Sequence, residues 1–139
     1  MKPDWTLESL QQFHKNSIVD HLGIELTELG TDFLVARMPV DHRTQQPFGI
    51  LHGGASVVLA ETLGSVASVM QLADPNRQRA VGLEINANHI RSVKEGWVYG
   101  RATPIHVGQS THVWDIRITD EAGKLVCVCR LTVAVINAR

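Results

Sequence analysis

The chain has few aromatic residues, few cysteines and almost no net charge. Phe, Trp and Tyr make up 5% of its 139 residues, there are two cysteines, and 13 Lys and Arg stand against 14 Asp and Glu for a formal charge of −1. Nonspecific binding to nucleic acid or to an anionic membrane depends on a surplus of basic residues, so this balance argues against both kinds of partner. Two cysteines are also too few for a disulfide-rich secreted scaffold.

The two cysteines, Cys127 and Cys129, are two positions apart in a β-branched segment and do not form a CxxC motif. Alternate side chains of a strand point to the same face, and their Cα atoms lie about 6.6 Å apart, near the upper limit for a disulfide. No Cys/His spacing typical of a metal site occurs in the sequence. We therefore expect two free, buried thiols and no metal site.

The longest nearly uncharged stretch runs from Gly53 to Leu72, with Glu61 as its one charged residue. Its serines and glycines, and the strands predicted after it, favour a buried helix over a membrane span. The segment Met1 to Thr6 reaches an acidic residue at once and has no apolar run, unlike a secretory signal. We expect a cytoplasmic protein.

The hydrophobic pattern predicts a short helix, two strands, one long helix and four more strands. The first helix starts at Thr6 and ends near Asn16, and the other elements are Gly23–Leu29, Phe33–Val40, Ala55–Leu72, Arg79–Ile90, Gly96–Pro104, Thr111–Thr119 and Lys124–Ile136. No βαβ alternation, repeat or linker is present, which predicts a single domain over residues 1–139. Its class is α+β, with an antiparallel sheet wrapped around the long helix and covering it all round.

Glu61 is the most informative residue, because a lone carboxylate in a covered, almost uncharged helix is costly unless it has a partner. Residues three, four and seven positions away include Gly54, Gly64, Ser65 and Ser68, which predicts a small and polar stripe that lines a cavity. Alternatively, the stripe faces solvent or another subunit and Glu61 is simply solvated. In a cavity, Glu61 suits nucleophilic or general-base chemistry.

A second candidate feature is His52-Gly53-Gly54, where the long helix starts. A peptide N–H of Gly53 or Gly54 lacks an intrahelical acceptor there and lies at the positive end of the helix dipole. Such a donor suits the oxyanion of an acyl-transfer reaction. The alternative is an ordinary glycine-rich helix start.

Gly53 and Glu61 are eight residues apart, which corresponds to about 12 Å along a helix and a rotation of about 80°. One carbonyl cannot contact both groups of the same chain at about 3 Å. Either the two features are unrelated, or a second copy of the helix runs antiparallel and supplies the missing group. We predict a two-fold dimer with shared sites.

Several segments resemble those of the hotdog-fold acyl-CoA thioesterases: Gln46-Pro47-Phe48-Gly49, Leu51-His52-Gly53-Gly54-Ala55-Ser56, Leu59-Ala60-Glu61, Gly64-Ser65 and Val81 to His89. The chain is most similar to the bacterial branch that contains the 1,4-dihydroxy-2-naphthoyl-CoA thioesterase and the enterobactin proofreading thioesterase. The resemblance covers nearly the whole chain. It implies a hotdog fold and a homotetramer built from two dimers.

The resemblance also implies residue roles. Glu61 corresponds to the catalytic nucleophile or base, and Gly53 to the backbone donor that polarises the thioester carbonyl. Gln46 and His52 correspond to the side chains that position the thioester. Ser65 and His89 correspond to the pair that orients the hydrolytic water or the substrate. The segment His89 to Lys94 ends a predicted strand with two cations, so it is either the place of the coenzyme A phosphates, near Arg91 and Ser92, or a solvated strand end. The backbone at Val81 and Gly82 is expected to border the pantetheine arm.

We therefore expect an acyl-CoA thioesterase that releases an aromatic acid of the hydroxynaphthoyl or hydroxybenzoyl type, without a metal or redox cofactor. The thioester partner is coenzyme A or an acyl-carrier protein. Two alternatives remain open. One is a hydratase or dehydratase of the same fold, although the His-Phe-Pro-Gly signature usual in those enzymes is absent, and the other is a noncatalytic acyl-CoA binding protein.

Overall fold

A computed structural model describes residues 5–138. Its elements in chain order are α1 (Leu7–Phe13), α2 (Ile18–His21), β1 (Glu25–Leu29), β2 (Leu34–Val40), α3 (Gly53–Gln71), β3 (Gln78–His89), β4 (Gly96–Val107), β5 (Thr111–Thr119) and β6 (Leu125–Asn137). All strand pairs are antiparallel and form one six-stranded sheet in the order β1-β2-β4-β5-β6-β3. The predicted α+β architecture is confirmed.

The long helix α3 lies against the sheet and contacts strands β2 to β6. Leu59 and Leu63 are fully buried, and Gly64 allows a close approach to β6: a β-carbon at residue 64 would lie 2.5 Å from Leu131 Cδ2. By length and composition α3 is apolar enough to cross a membrane. Its contacts with five strands identify it here as the core helix.

Several boundaries differ from the prediction, three of them for a clear structural reason. The first helix starts after the Thr6 cap but ends at Phe13, and a separate short helix, α2, follows a turn in which Asn16 has a positive φ of 63°. The helix α3 begins at Gly53, because His52 caps it. Strand β4 continues beyond Pro104, since a bulge between Pro104 and His106 accommodates the proline.

Strand β3 is an edge strand. It pairs with β6 on one side, and no described strand pairs with its other side. Val81 is 42% exposed and Leu83 is 63% exposed on this strand. A register shift between Gly82 and Glu84 marks a bulge near the middle of the strand. A long, apolar and unpaired edge is unusual for an isolated domain, because it is open to pairing with another chain.

The two cysteines lie side by side on β6. Cys127 and Cys129 are free and buried, with 3.5 Å between their sulfur atoms. The expectation of buried thiols on one strand face is confirmed.

Candidate active site

Hydrogen bonds of Thr44 with Pro39 and with His52 fix the loop between β2 and α3. Thr44 is buried, and its hydroxyl donates to the carbonyl oxygen of Pro39 at 2.6 Å. The carbonyl oxygen of Thr44 accepts from the backbone N–H of His52 at 2.8 Å. The loop therefore holds His52 in a defined position at the start of α3.

At the start of α3 the structure distinguishes between the two glycines. The His52 Nδ1 accepts from the Gly54 N–H at 2.8 Å and caps the helix. The Gly53 N–H forms no hydrogen bond within residues 5–138. An unpaired N–H at the positive end of a 19-residue helix favours a carbonyl oxygen or an anion. Gly53, and not Gly54, is thus the donor available to a ligand.

Gln46 lies at the start of a tight turn in the same loop. Its backbone N–H donates to Ile50 O at 2.9 Å, and Gly49 completes the turn with a positive φ of 81°. The side-chain oxygen of Gln46 accepts from the Phe48 N–H. With the oxygen occupied in this way, the side-chain NH₂ is the group that remains to donate to a ligand.

His89, the last residue of β3, lies beside the start of α3. A β-carbon at residue 53 would be 2.8 Å from His89 Nε2, so the absence of a side chain at Gly53 makes room for the imidazole. On its other side, His89 Nδ1 is 3.5 Å from Cys127 Sγ. The imidazole is therefore placed between the helix start and a buried thiol of β6.

Glu61, two turns further along α3, lies over the bulge of β3. A β-carbon at residue 82 would be 2.7 Å from Glu61 Oε2, so glycine is needed there for the carboxylate to approach the strand. The Glu61 side chain is half-buried, and within residues 5–138 it forms neither a hydrogen bond nor an ion pair. Glu61 also borders a cleft of about 330 Å³ lined by His14, Ile18, Val58, Glu61, Thr62, Ser65 and Val66.

The predicted polar stripe is only partly correct. Ser65 lines the cleft with Glu61, but Gly64 faces Leu131 on the sheet side. Ser68 is fully buried, and its oxygen lies 2.6 Å from Trp114 Nε1 and 2.9 Å from His112 Nδ1. Because one helical turn takes 3.6 residues, Gly64, Ser65 and Ser68 point in different directions from the helix axis. The predicted stripe is therefore divided between the cleft and the core.

The expectation that the sheet covers α3 all round is wrong for this single chain. Val58, Thr62 and Ser65 are half-buried on the side of the cleft. Within residues 5–138, the turn after α1 and the start of α2 border this side through His14 and Ile18, and they leave the cleft open.

The site residues fall into two groups within one chain. We call Gln46, His52, Gly53 and His89 the donor group, and Glu61, Ser65 and Gly82 the carboxylate group. Eight helical residues, or about 12 Å of rise, separate Gly53 from Glu61. Ser65 and His89 are not brought together, because Ser65 is 12 residues from the helix start that His89 contacts.

The residues expected near coenzyme A lie on or just after β3. Val81 and Gly82 are on the unpaired edge strand, and Arg91 and Ser92 are exposed in the segment that follows it. The Arg91 backbone N–H donates to Val126 O at 3.3 Å, and within residues 5–138 its guanidinium forms no ion pair. Among the same residues, no group of three or more His, Cys, Asp or Glu side chains is arranged to hold a metal ion.

Comparison with known proteins places the chain in a family. Residues 48–127 match the family model described as the thioesterase superfamily. The chain belongs to the thioesterase superfamily. This thioesterase is 53% identical to the 1,4-dihydroxy-2-naphthoyl-CoA hydrolase of Escherichia coli K12, over 94% of its own length and 95% of that relative.

Solved structures of thioesterases agree with the fold. A Haemophilus influenzae thioesterase superposes with a TM-score of 0.93 at 55% identity, covering 98% of this chain and 94% of the other. A Pseudomonas aeruginosa thioesterase variant superposes with a TM-score of 0.94 at 51% identity, covering 99% of this chain and 97% of the other. The hotdog fold and the assignment as a thioester hydrolase are confirmed.

The sequence did not identify two residues that line the Glu61 cleft of this thioesterase, His14 and Ile18. Burial lowers the pKa of His14, and its Nε2 is buried without a partner in the described part of the chain. No local pattern marks either residue, because both reach the cleft only through the turn between α1 and α2.

Proposed function

We propose that this thioesterase hydrolyses an aromatic acyl-CoA, and that Gly53 and Glu61 are the two groups that act on the thioester carbonyl. The supporting observation is that one helix presents an unpaired N–H at its start and an unpaired carboxylate in a cleft two turns later. A thioester is an activated carbonyl, so a hydrogen-bond donor and a base or nucleophile suffice for its hydrolysis. The proposal includes no metal or cofactor.

The donor group polarises the carbonyl. In the proposal the thioester oxygen accepts from the Gly53 N–H, which requires no reorganisation because the helix holds that N–H in place. Since His52 Nδ1 accepts from Gly54, a neutral His52 imidazole has its proton on Nε2 and acts as a further donor. The Gln46 NH₂ is positioned by the Phe48 contact in the same loop. Together these donors orient the thioester and stabilise the negative charge that develops on its oxygen.

Glu61 supplies the second component by one of two routes. As a nucleophile it attacks the carbonyl carbon, the coenzyme A thiolate leaves, and water then hydrolyses the mixed anhydride. As a general base it takes a proton from water, whose hydroxide attacks the carbonyl while the thiolate leaves and is protonated. Both routes consume one water and give a carboxylic acid and a thiol. Ser65 and His89 are proposed to orient the water.

A second copy of the chain completes the site in this proposal. The unpaired edge of β3 is 12 residues long and exposes Val81 and Leu83, so a two-fold partner can continue the sheet through it. Such pairing sets the two α3 helices antiparallel and brings the carboxylate group of one chain to the donor group of the other. A tetramer of two dimers and a cytoplasmic location belong to the same proposal.

The acyl group is proposed to occupy the cleft beside Glu61. Ile18, Val58 and Val66 make its walls apolar, while Ser65 adds a hydroxyl. The aromatic assignment also rests on the 53% identity with a relative named for a dihydroxynaphthoyl-CoA substrate. In the proposal the pantetheine arm runs along Val81 and Gly82, and the phosphates contact Arg91 and Ser92.

The decisive experiment is Glu61→Gln, assayed by thiol release from an aryl-CoA. We expect kcat to fall by at least about a hundredfold, because the variant loses the base or nucleophile but keeps its shape. Substrate binding, followed by calorimetry, should persist. The control Glu121→Gln changes an exposed carboxylate in the β5–β6 turn and should keep the wild-type rate.

Three outcomes separate the alternatives. Near wild-type thiol release by Glu61→Gln contradicts the proposed mechanism. An enoyl product without thiol indicates a hydratase or dehydratase, and stoichiometric binding without any product indicates a noncatalytic binding protein. A panel of aryl and long-chain acyl thioesters, on coenzyme A and on a carrier protein, tests the substrate, and a strong preference for long aliphatic chains contradicts the aromatic assignment.

A further inference from the structure

The proposed site residue His89 has a partner outside the groups described above, the buried thiol of Cys127. The two residues are directly opposite each other in the β3–β6 ladder. The Cys127 sulfur lies 3.5 Å from His89 Nδ1, within hydrogen-bond distance for sulfur. Within residues 5–138 this is the one hydrogen bond of the His89 ring, so the thiol is its anchor.

The surroundings of Cys127 indicate which atom donates in this contact. Cys129 Sγ is 3.5 Å from Cys127 Sγ, and the Asn88 backbone N–H also points at the Cys127 sulfur. The hydrogen bond from Cys129, together with that of Asn88, lowers the pKa of Cys127, while the contact with Cys127 raises the pKa of Cys129. Cys129 thus stays a protonated thiol, which can donate to the Cys127 sulfur.

The Cys127 S–H has one nitrogen acceptor within reach, His89 Nδ1, and an imidazole nitrogen is a stronger acceptor than a thiol sulfur. A neutral imidazole carries one proton, and the nitrogen that accepts is the one without it. The proton of His89 then lies on Nε2. That nitrogen would be 2.8 Å from a β-carbon at residue 53, so it lies at the start of α3 beside the donor group.

We propose that Cys127 is a positioning residue of this thioesterase: its S–H donates to His89 Nδ1 and holds the imidazole beside Gly53 with its proton on Nε2. The proposal rests on the proposed function in so far as His89 acts at the thioester site. Without the thiol, the exposed His89 ring is free to rotate and to place its proton on either nitrogen. Cys127 itself is fully buried and does not contact the substrate.

The kinetic test uses Cys127→Ala, with Cys127→Ser and Val133→Ala for comparison. We expect kcat for an aryl-CoA to fall about three- to tenfold in Cys127→Ala at nearly constant KM, the range that one hydrogen bond contributes. Cys127→Ser keeps a hydroxyl donor and should recover most of the loss. Val133→Ala truncates another fully buried side chain on the same face of β6 and should leave kcat within about twofold, although it also makes a cavity.

The spectroscopic test does not depend on turnover. In protein labelled with ¹⁵N-histidine, at a pH about one unit above the ordinary histidine pKa of about 6.5 and below the ordinary cysteine pKa of about 8.5, the two ring nitrogens report which one is protonated. The His89 signals are assigned by their loss in His89→Gln. We expect the Nε2–H form in the wild type and in Cys127→Ser, and a mixture of both forms in Cys127→Ala.

Each result decides the proposal. An Nδ1–H form or an imidazolium in the wild type overturns it, as does an unchanged tautomer and kcat in Cys127→Ala. Equal losses of kcat in Cys127→Ala and Val133→Ala, with an unchanged tautomer, also overturn it, because that pattern reflects packing alone. A wild-type protein that releases no thiol from any thioester contradicts the proposed function instead, and the ring spectra still decide the hydrogen bond.

Discussion

The two ends of the proposed chemistry are built differently, although both use the helix α3. The donor group at the start of α3 is held by backbone hydrogen bonds: His52 is fixed by Thr44 and caps Gly54. The Glu61 carboxylate has no partner within the described chain and rests against a glycine. Hydrogen bonds within the chain hold the first region in place, whereas the second region is open on the side of the cleft.

This difference has a physical reason. A helix start exposes N–H groups whatever its neighbours are, so capping one of them defines which donor remains. A carboxylate in mid-helix has no such local determinant, and its surroundings come from distant segments. The helix start with His52 and Gly53 is thus a local feature of the chain, whereas His89 and the carboxylate group depend on tertiary and, in our proposal, quaternary contacts.

The sharpest test of the donor region replaces Gly53 by proline. Proline is well tolerated at the first position of a helix, and the extended backbone of His52 suits a following proline. Gly53→Pro removes the N–H, and we expect kcat to fall by about 10²–10³, as for an oxyanion donor. Gly53→Ala is the matched control, since it also adds a β-carbon next to His89 but keeps the N–H. Equal kcat values for the two variants, both near that of the wild type, would mean that the N–H is not used.

Mixing variants tests whether the two regions meet across a dimer. Glu61→Gln and Gly53→Pro chains are each expected to be nearly inactive alone. After co-refolding in equal amounts, about half of the dimers contain one chain of each kind, and one of their two shared sites is intact. The mixture should therefore recover about a quarter of the wild-type thiol release. No recovery, in mixtures shown by mass spectrometry to contain mixed dimers, would place both groups of a site in one chain.

The serines of α3 distinguish the open region from the core. Ser68→Ala leaves the buried Trp114 N–H without its acceptor, so we expect the free energy of unfolding to fall by about 1–3 kcal/mol. Ser65→Ala, in the open cleft, should change it by less than about 0.5 kcal/mol and reduce kcat instead. Urea denaturation and thiol release measured on both variants check this reversal. A larger loss of unfolding free energy in Ser65→Ala than in Ser68→Ala would contradict the assignment of Ser65 to the cleft and Ser68 to the core.

The smallest expected effect concerns the loop that leads to the donor group. The side chain of Arg43 hydrogen-bonds Asp41 at 2.7 Å and lowers the pKa of that carboxyl to about 2. Because the folded-state pKa is below the unfolded one of about 3.9, the ion pair stabilises the fold above pH 4 and the stabilisation is lost as the pH falls towards 2. Both side chains are more than a third exposed, so solvent screening limits the contribution to about 0.2–1 kcal/mol.

The variant Asp41→Asn measures this contribution. Urea denaturation at pH 7 should show it less stable than the wild type by that amount, and the difference should disappear near pH 2. Asp32→Asn, in the β1–β2 turn, is the control at an exposed position. A difference that persists unchanged at pH 2 would assign the loss to packing instead of charge.

Much of the fold followed from local patterns. The long helix and the last four strands were predicted close to their observed bounds, because their hydrophobic periodicity is clear and turn residues separate them. The helix α2 was missed, since four residues between two turns have no periodicity of their own. The hydrophobic pattern placed the first residue of α3 at Ala55, two residues after the observed Gly53, because the cap by the His52 side chain was not anticipated.

The candidate site was predictable as a set of residue types and less so as an arrangement. Glu61, His52 and Gly53 stand out by charge and helix position alone. The division of the serine stripe, the Gly82 contact of Glu61 and the approach of His14 to the cleft could not be foreseen. Each depends on which side chain of one element faces which residue of another, and that is set by packing over long distances in the chain.

The sequence by itself determined an α+β domain with one carboxylate in its central helix and a glycine-rich start to that helix, because periodicity, charge and capping act over a few residues. Only the tertiary structure decided that Ser65 and not Ser68 lines the cleft, that His89 lies beside Gly53, and that Cys127 contacts His89. These outcomes follow from strand register and side-chain direction, which bring together residues as far as 46 positions apart, such as Ser68 and Trp114.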